Sequence, residues 1–125
     1  HYPSSVGVKK NTFTIDNQAS RLIGQVLLPN PAQLRVIPKF EVGGQDLSPQ
    51  RKNNPAKAGA GRLEISGKDQ QAIKFTHLTL FQIENSEAQP VQTKFNQTPA
   101  SFVLETSEYK IVIDKSSNKI LVTKE

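Results

Sequence analysis

The sequence contains no cysteine, methionine or tryptophan, and it has only two histidines among its 125 residues. Without cysteine the chain has no disulfide framework, no thiolate nucleophile and no zinc site with sulfur ligands. One histidine is His1, which leaves His77 as the only imidazole within the chain. Because a metal site needs several such ligands, we expect no metal and no cofactor.

Long apolar runs are also missing. No stretch approaches the ~18 apolar residues that a membrane-spanning helix requires, so we expect no transmembrane segment. Methionine is absent even from position 1, where it is not normally trimmed before a residue as large as His1. We therefore expect an exported protein, periplasmic, cell-surface or extracellular, which is either a mature chain after signal-peptide removal or a domain of a larger parent.

The sequence is rich in alternation of apolar and polar residues at a period of two, which is typical of half-buried strands. Tyr109, Ile111 and Ile113 alternate with polar neighbours, and Ile120 and Val122 resume an apolar face after a polar turn. The same pattern predicts about nine strands. The predicted strands are residues 12–16, 22–28, 34–42, 62–66, 72–84, 91–95, 101–105, 109–114 and 119–123.

The spacing of the turns between these strands is typical of two packed antiparallel sheets. A chain of 125 residues has room for one core. We therefore predict a single all-β domain over residues 1–125, an antiparallel β-sandwich of immunoglobulin-like or jelly-roll-like type. Residues 1–11 are a candidate extended N-terminal arm.

Two of the predicted strands contain an interruption. Proline has no N–H for a ladder, so we expect the strand with Pro38 at a sheet edge or with a bulge there. The segment 72–84 is long and changes its apolar face, which predicts a bend or bulge near His77. We interpret His77 as a partly buried strand residue that hydrogen-bonds to backbone or to a neighbouring threonine.

Residues 48–61 contain no large apolar side chain but several prolines and glycines, which predicts a long surface loop. The net charge of +5 comes entirely from the first half of the chain. The basic residues in or beside the loop are Arg51, Lys52, Lys57 and Arg62. They are candidates for binding a polyanion, and a solvated loop is the simpler interpretation. Nucleic acid is not expected, because no aromatic side chain accompanies them for stacking.

The N-terminal segment alternates in the same way as a strand. Its apolar residues are Val6, Val8, Phe13 and Ile15. Exported β-sandwiches that polymerise use such a segment to complete the open sheet of a neighbour, so these residues are candidates for strand addition to a partner. The alternative is an ordinary first strand preceded by a frayed tail.

No motif indicates an enzyme. The glycines near Gly59 lack the spacing of a phosphate loop, and no nucleophile elbow selects a serine or carboxylate to act with His77. We expect a non-enzymatic β-sandwich that acts in binding or assembly. Its expected role is that of a structural, adhesive or accessory subunit of an extracellular or cell-envelope assembly. We expect it to bind a protein partner or to self-associate.

Two other functions stay open. One is an accessory carbohydrate- or polyanion-binding domain of a larger secreted protein. The chain has many Asn and Gln side chains, which are able to hydrogen-bond to sugars, although the absence of tryptophan counts against carbohydrate binding. The other is a hydrolase with an unrecognised carboxylate site. Its candidate acids are Glu84, Glu87, Glu105, Glu108 and Asp114.

Overall fold

The computed structural model describes residues 5–17, 19–37, 41–46, 62–67 and 76–125. In these ranges the chain forms twelve β-strands and no helix, and every strand pair is antiparallel, which confirms the predicted all-β class. The strands are β1 (Ser5–Lys9), β2 (Thr12–Asn17), β3 (Ser20–Leu28), β4 (Ala32–Ile37), β5 (Glu41–Val42), β6 (Gln45–Asp46), β7 (Arg62–Gly67), β8 (Leu78–Asn85), β9 (Lys94–Gln97), β10 (Ser101–Glu105), β11 (Tyr109–Asp114) and β12 (Ile120–Lys124). In the same ranges, no helix has the length and apolar character to span a membrane.

The chain divides into two compact units, His1–Ala88 and Gln89–Glu125. The first contains a four-stranded sheet in the order β1-β2-β3-β8 and the two-stranded sheets β4-β7 and β5-β6. The second is a four-stranded meander in the order β12-β11-β10-β9, and all of its residues are described. That residues 1–125 form one domain stays a prediction.

The centre of the first sheet is β3, which pairs with β2 on one side and β8 on the other. Ile23 and Val26 on this strand are 0% and 1% exposed, the most buried side chains described. The register with β8 shifts between Val26 and Leu28, so the bulge lies at Leu27. A bend or bulge near His77 was predicted within the segment 72–84, of which residues 72–75 lie outside the described residues, so it stays a prediction.

An ion pair joins two strands of this sheet. The guanidinium of Arg21 on β3 donates through Nε and Nη2 to the carboxylate of Asp16, which lies directly opposite on β2. Its Nη1 also donates to the carbonyl oxygen of Ala88 at 2.9 Å. The hydrogen bond to Asp16 raises the pKa of Arg21. One side chain thus ties the chain after β8 back to β3.

The two-stranded sheet β4-β7 has one apolar and one polar face. Leu34 lies opposite Ile65 and Val36 opposite Leu63 on one face. On the other face Arg35 lies opposite Glu64. Pro38, where an edge or bulge was expected, lies outside the described residues.

In the second sheet, directly opposite residues share a face, so the register separates the side chains into rows. Phe102, Ile113 and Ile120 form one row of the apolar face. The next row consists of Phe95, Leu104, Ile111 and Val122. Leu104 is only 3% exposed and is the buried centre of this sheet. The opposite face carries one apolar row, Val103, Val112 and Leu121, beside the charged pair Glu105 and Lys110.

The three turns of the meander are each closed by the side chain of their first residue. The hydroxyl of Thr98 accepts hydrogen bonds from the N–H of Ala100 and of Ser101 at 3.2 and 3.0 Å. Thr106 repeats this arrangement in the next turn. Asp114 accepts from the N–H of Ser116 and Ser117 in the third. Such local hydrogen bonds satisfy turn amides and fix the register of each hairpin.

Candidate interaction edge

The outer edge of the second sheet is β12, and all five of its residues are exposed. Ile120, Leu121 and Val122 leave 64%, 65% and 56% of their surface in solvent. Single exposed apolar residues are ordinary on protein surfaces, whereas three in succession on an edge strand form a patch. We refer to Ile120–Lys124 as the β12 edge.

This patch has apolar side chains on both faces of the sheet. Ile120 and Val122 share the face of Phe102 and Leu104, whereas Leu121 points to the other face. Because the strand has a neighbour on one side only, pairing with β11 leaves its remaining flank uncovered. The β12 edge therefore combines an unpaired flank with partly exposed apolar side chains on both faces.

The other edge of the same sheet is β9, and it has the features that prevent strand addition. Lys94, Asn96 and Gln97 are exposed and polar, and Pro99 lies in the turn that follows. Lysine and proline on or beside an edge strand discourage pairing with another chain. The β12 edge has lysine only at or beside its ends, at Lys119 and Lys124, and its apolar middle from Ile120 to Val122 has no proline and no charge, so it is the less protected of the two edges.

Two hydrogen bonds determine which backbone groups of β12 face outward. The N–H of Asp114 donates to the carbonyl oxygen of Lys119 at 2.9 Å, and the N–H of Glu125 donates to that of Glu108 at 2.8 Å. Because inward and outward positions alternate along an antiparallel strand, the odd-numbered residues from 119 to 125 face β11. The N–H and C=O groups of Ile120, Val122 and Lys124 therefore point outward.

The first sheet also exposes apolar residues at its edges. Val6 and Val8 on β1 are each 40% exposed, and Phe81 and Ile83 on β8 are 59% and 77% exposed. The register places all four on one face of the sheet. Val6 and Val8 were predicted from the sequence to add to a partner's sheet, and the structure places them on an edge strand.

The other two residues of that prediction lie on β2. Phe13 is 4% exposed and Ile15 is partly buried. Residues 5–17 form a hairpin within their own sheet, with Val8 opposite Phe13 and Val6 opposite Ile15. Strand addition by this segment stays a prediction.

The predicted polyanion site falls almost wholly outside the described residues. Arg51, Lys52 and Lys57 lie in the undescribed range 47–61. The backbone of Arg62 is the first position of β7, opposite Ile37. Polyanion binding by these four residues therefore stays a prediction.

His77 lies just before β8 and is exposed. Its Nε2 is 2.7 Å from the hydroxyl oxygen of Thr79, so the predicted threonine partner is confirmed, whereas the predicted partial burial is wrong. Across the described ranges, no three His, Cys, Asp or Glu residues are grouped as metal ligands.

One cleft of about 570 Å³ lies at an end of the second sheet. Its lining residues are Gln92, Thr93, Lys94, Glu105, Thr106, Ser107 and Glu125. Glu105 lies opposite Lys94 and Lys110, with its carboxylate 3.3 Å from Lys110 Nζ, which is an ordinary cross-strand ion pair. The Thr106 hydroxyl is engaged by turn amides. Nothing in this cleft singles out a nucleophile or a general base.

Sequence reasoning predicted β12 but did not identify it as a candidate site. Alternation assigned Ile120 and Val122 to an apolar face, but it does not report whether a strand lies at the edge of its sheet. The sequence did contain one indication of such a site, because Leu121 makes this strand apolar on both faces. A strand of this kind lies either between two covering layers or at an interface.

No protein-family model, no curated protein and no solved structure matches this chain.

Proposed function

We propose that the protein is a non-enzymatic exported module of an extracellular or cell-envelope assembly, and that it binds a protein partner along the β12 edge. The observation that carries this proposal is the exposure of Ile120, Leu121 and Val122 in the uncharged middle of an edge strand. In strand addition the backbone ladder supplies affinity, and alternate side chains set the register.

The free energies expected for strand addition favour weak and reversible binding at a single edge. Each net hydrogen bond contributes about 0.5–1.5 kcal/mol, and fully burying an apolar side chain contributes about 1.5–3 kcal/mol. The edge offers three outward residues and three exposed apolar side chains, whereas association itself costs ~4–15 kcal/mol. The net free energy of binding is therefore small, and a stable assembly requires several such contacts acting together.

The arrangement of the sheets as a β-sandwich of immunoglobulin-like or jelly-roll-like type is part of this proposal. Each four-stranded sheet has one face on which opposite residues form apolar rows, as Leu22 and Ile15 do in the first and Leu104 and Ile111 do in the second. Sandwich folds are built from sheets with one such face.

The proposal is tested with an extended probe peptide of alternating threonine and valine and with the same peptide N-methylated along its pairing edge. Amide spectra of the isotope-labelled full chain are recorded at low protein concentration. We expect the amides of Ile120, Val122 and Lys124 to shift and to gain exchange protection with the unmodified peptide only. No change at these amides at millimolar peptide would overturn the proposal.

A matched pair of variants identifies the edge. Val122→Pro removes an outward N–H and leaves every inward hydrogen bond in place, so the sheet is retained. Val122→Thr keeps the N–H and the branched side chain. We expect the probe peptide to bind the proline variant about tenfold more weakly than the threonine variant, and equal binding would contradict pairing at this edge.

A further inference from the structure

We propose that the partner of the β12 edge is the β12 edge of a second copy of this chain, paired antiparallel about a twofold axis at Val122. The two four-stranded sheets of the second units then become one continuous sheet. This inference rests on the proposed function, because it names the occupant of the same edge.

The outward backbone groups select this register. A twofold axis across an antiparallel pair places one residue opposite itself. With Val122 at the centre, Ile120 lies opposite Lys124 of the second copy, so all three outward residues meet outward residues. With Leu121 at the centre, Lys124 would meet Asn118, whose N–H already donates to the carbonyl oxygen of Asp114. The Val122 register therefore forms more hydrogen bonds than the Leu121 register.

Charge selects the same register. Lys119 and Glu125 flank the β12 edge, and both are exposed. With Val122 at the centre, Lys119 lies opposite Glu125 of the second copy, and symmetry repeats this pair on the other side. With Leu121 at the centre, Lys119 would instead lie opposite Thr123, and the opposite-charge pair would be lost. Opposite charges on facing strands stabilise a pairing and define its register.

This pairing gives apolar side chains a neighbour from the second copy on each face of the sheet. Val122 packs against Val122 of the second copy on the face of Phe102. On the other face, Leu121 and Leu121 of the second copy become diagonal neighbours, which lies within the reach of long side chains. The dimer thus gives new cross-strand neighbours to Leu121 and Val122, which are 65% and 56% exposed in the single chain.

The test is a mixing experiment with charge reversals on the full chain. Lys119→Glu alone places two carboxylates opposite each other twice, and Glu125→Lys alone does the same with two ammonium groups. Mixing the two variants restores both opposite-charge pairs in a heterodimer. In sedimentation velocity we expect wild type to dimerise with concentration, each variant to dimerise about tenfold more weakly, and their mixture to recover the wild-type constant.

Two controls separate register from net charge and from folding. Lys9→Glu on β1 changes the net charge by the same amount as Lys119→Glu and is expected to leave dimerisation unchanged. Far-ultraviolet circular dichroism of each variant reports whether the fold is retained. The double variant with both reversals in one chain is expected to dimerise as wild type does.

The outcomes distinguish this inference from the proposed function. If wild type stays monomeric at high concentration while the probe peptide protects Ile120, Val122 and Lys124, self-pairing is wrong and the proposed function stands. If wild type dimerises but mixing Lys119→Glu with Glu125→Lys restores nothing, the twofold register is wrong. If neither the peptide nor a second copy protects the edge, both proposals fail.

Discussion

The ring of Phe13 on β2 occupies the space over Gly24, which lies directly opposite on β3, so that a β carbon added to Gly24 would collide with the ring. Phe81 on β8 lies opposite Gly24 on the other side. The two rings meet edge to face, with centroids 6.2 Å apart at 74°. The rings from β2 and β8 thus cover the position on β3 where Gly24 has no side chain.

We expect Gly24→Ala to destabilise the first sheet. The new methyl group displaces the buried ring of Phe13, and overpacking of this kind costs about 1–3 kcal/mol. The free energy of unfolding from denaturant titration measures the effect. In the double variant with Phe13→Leu the cost of Gly24→Ala is expected to shrink, because the smaller side chain leaves room.

Gly7→Ala on β1 is the matched control. A β carbon there would meet only the hydroxyl oxygen of Thr14 at 2.9 Å, which a side-chain rotation relieves. We expect a loss clearly smaller than that of Gly24→Ala. Equal losses at the two glycines would contradict a specific role for the Phe13 ring.

The two leucines of the second sheet are expected to behave in opposite ways. Leu104 is 3% exposed and Leu121 is 65% exposed. Leu104→Ala leaves a cavity and is expected to cost about 2–5 kcal/mol, whereas Leu121→Ala is expected to stay within about 0.5 kcal/mol in the monomer. Denaturant titration at low protein concentration checks both. A large loss for Leu121→Ala under these conditions would show that the residue supports the fold rather than an interface.

The sequence predicted most strands because alternation records which face of a strand is buried. Residues 101–105 and 109–114 were predicted with the bounds that β10 and β11 have. The prediction of 91–95 is displaced from β9, which is Lys94–Gln97. Its register is set by the turn at Thr98 and by pairing with β10, so Asn96 and Gln97 are strand residues despite a weak intrinsic preference.

The order of the strands was not predictable in the same way. β3 pairs with β8, although about fifty residues separate their ends, and no local pattern encodes that partner. For the same reason alternation reported that Ile120 and Val122 share a face but not that β12 is an edge. The β12 edge as a candidate site therefore emerged only once the pairing was known.

The turn between β11 and β12 is expected to weaken in acid. Hydrogen bonds from the Ser116 side chain, and then from Ser117 and the Ser116 backbone, lower the pKa of Asp114 from 3.8 to about 2. A carboxylate with a lowered pKa in the folded state stabilises it above the unfolded pKa, and this stabilisation disappears as the pH falls from about 4 to about 2. Carboxyl carbon shifts of Asp114 and exchange of the hairpin amides between pH 2 and 5 measure it.

Two substitutions separate this effect from general acid sensitivity. Asp114→Asn keeps an acceptor oxygen but cannot titrate, so the pH dependence of the hairpin amides is expected to flatten. Ser116→Ala removes the largest cause of the shift and is expected to raise the pKa of Asp114 toward its ordinary value. A wild-type pKa near 3.8 would contradict the hydrogen-bond network at this turn.

The N-terminal hairpin is expected to act as an intrinsic part of the first sheet. β2 pairs with β3 along its whole length, and Phe13 is buried over Gly24. A truncated chain that begins at Gln18 loses both strands of the hairpin, which exposes one side of β3. We expect a lower free energy of unfolding at every protein concentration, because the lost contacts lie within one chain.

Strand donation to a second copy predicts the opposite behaviour. A donor segment can be removed without unfolding its own chain, and the truncated protein would stay folded and accept residues 1–17 as a peptide from solution. Thermal unfolding of the full and truncated chains at two concentrations distinguishes the two cases. In the full chain, amide protection of Thr12–Asn17 that does not change with concentration supports intramolecular pairing, and protection that rises with concentration would assign the hairpin to a neighbouring copy.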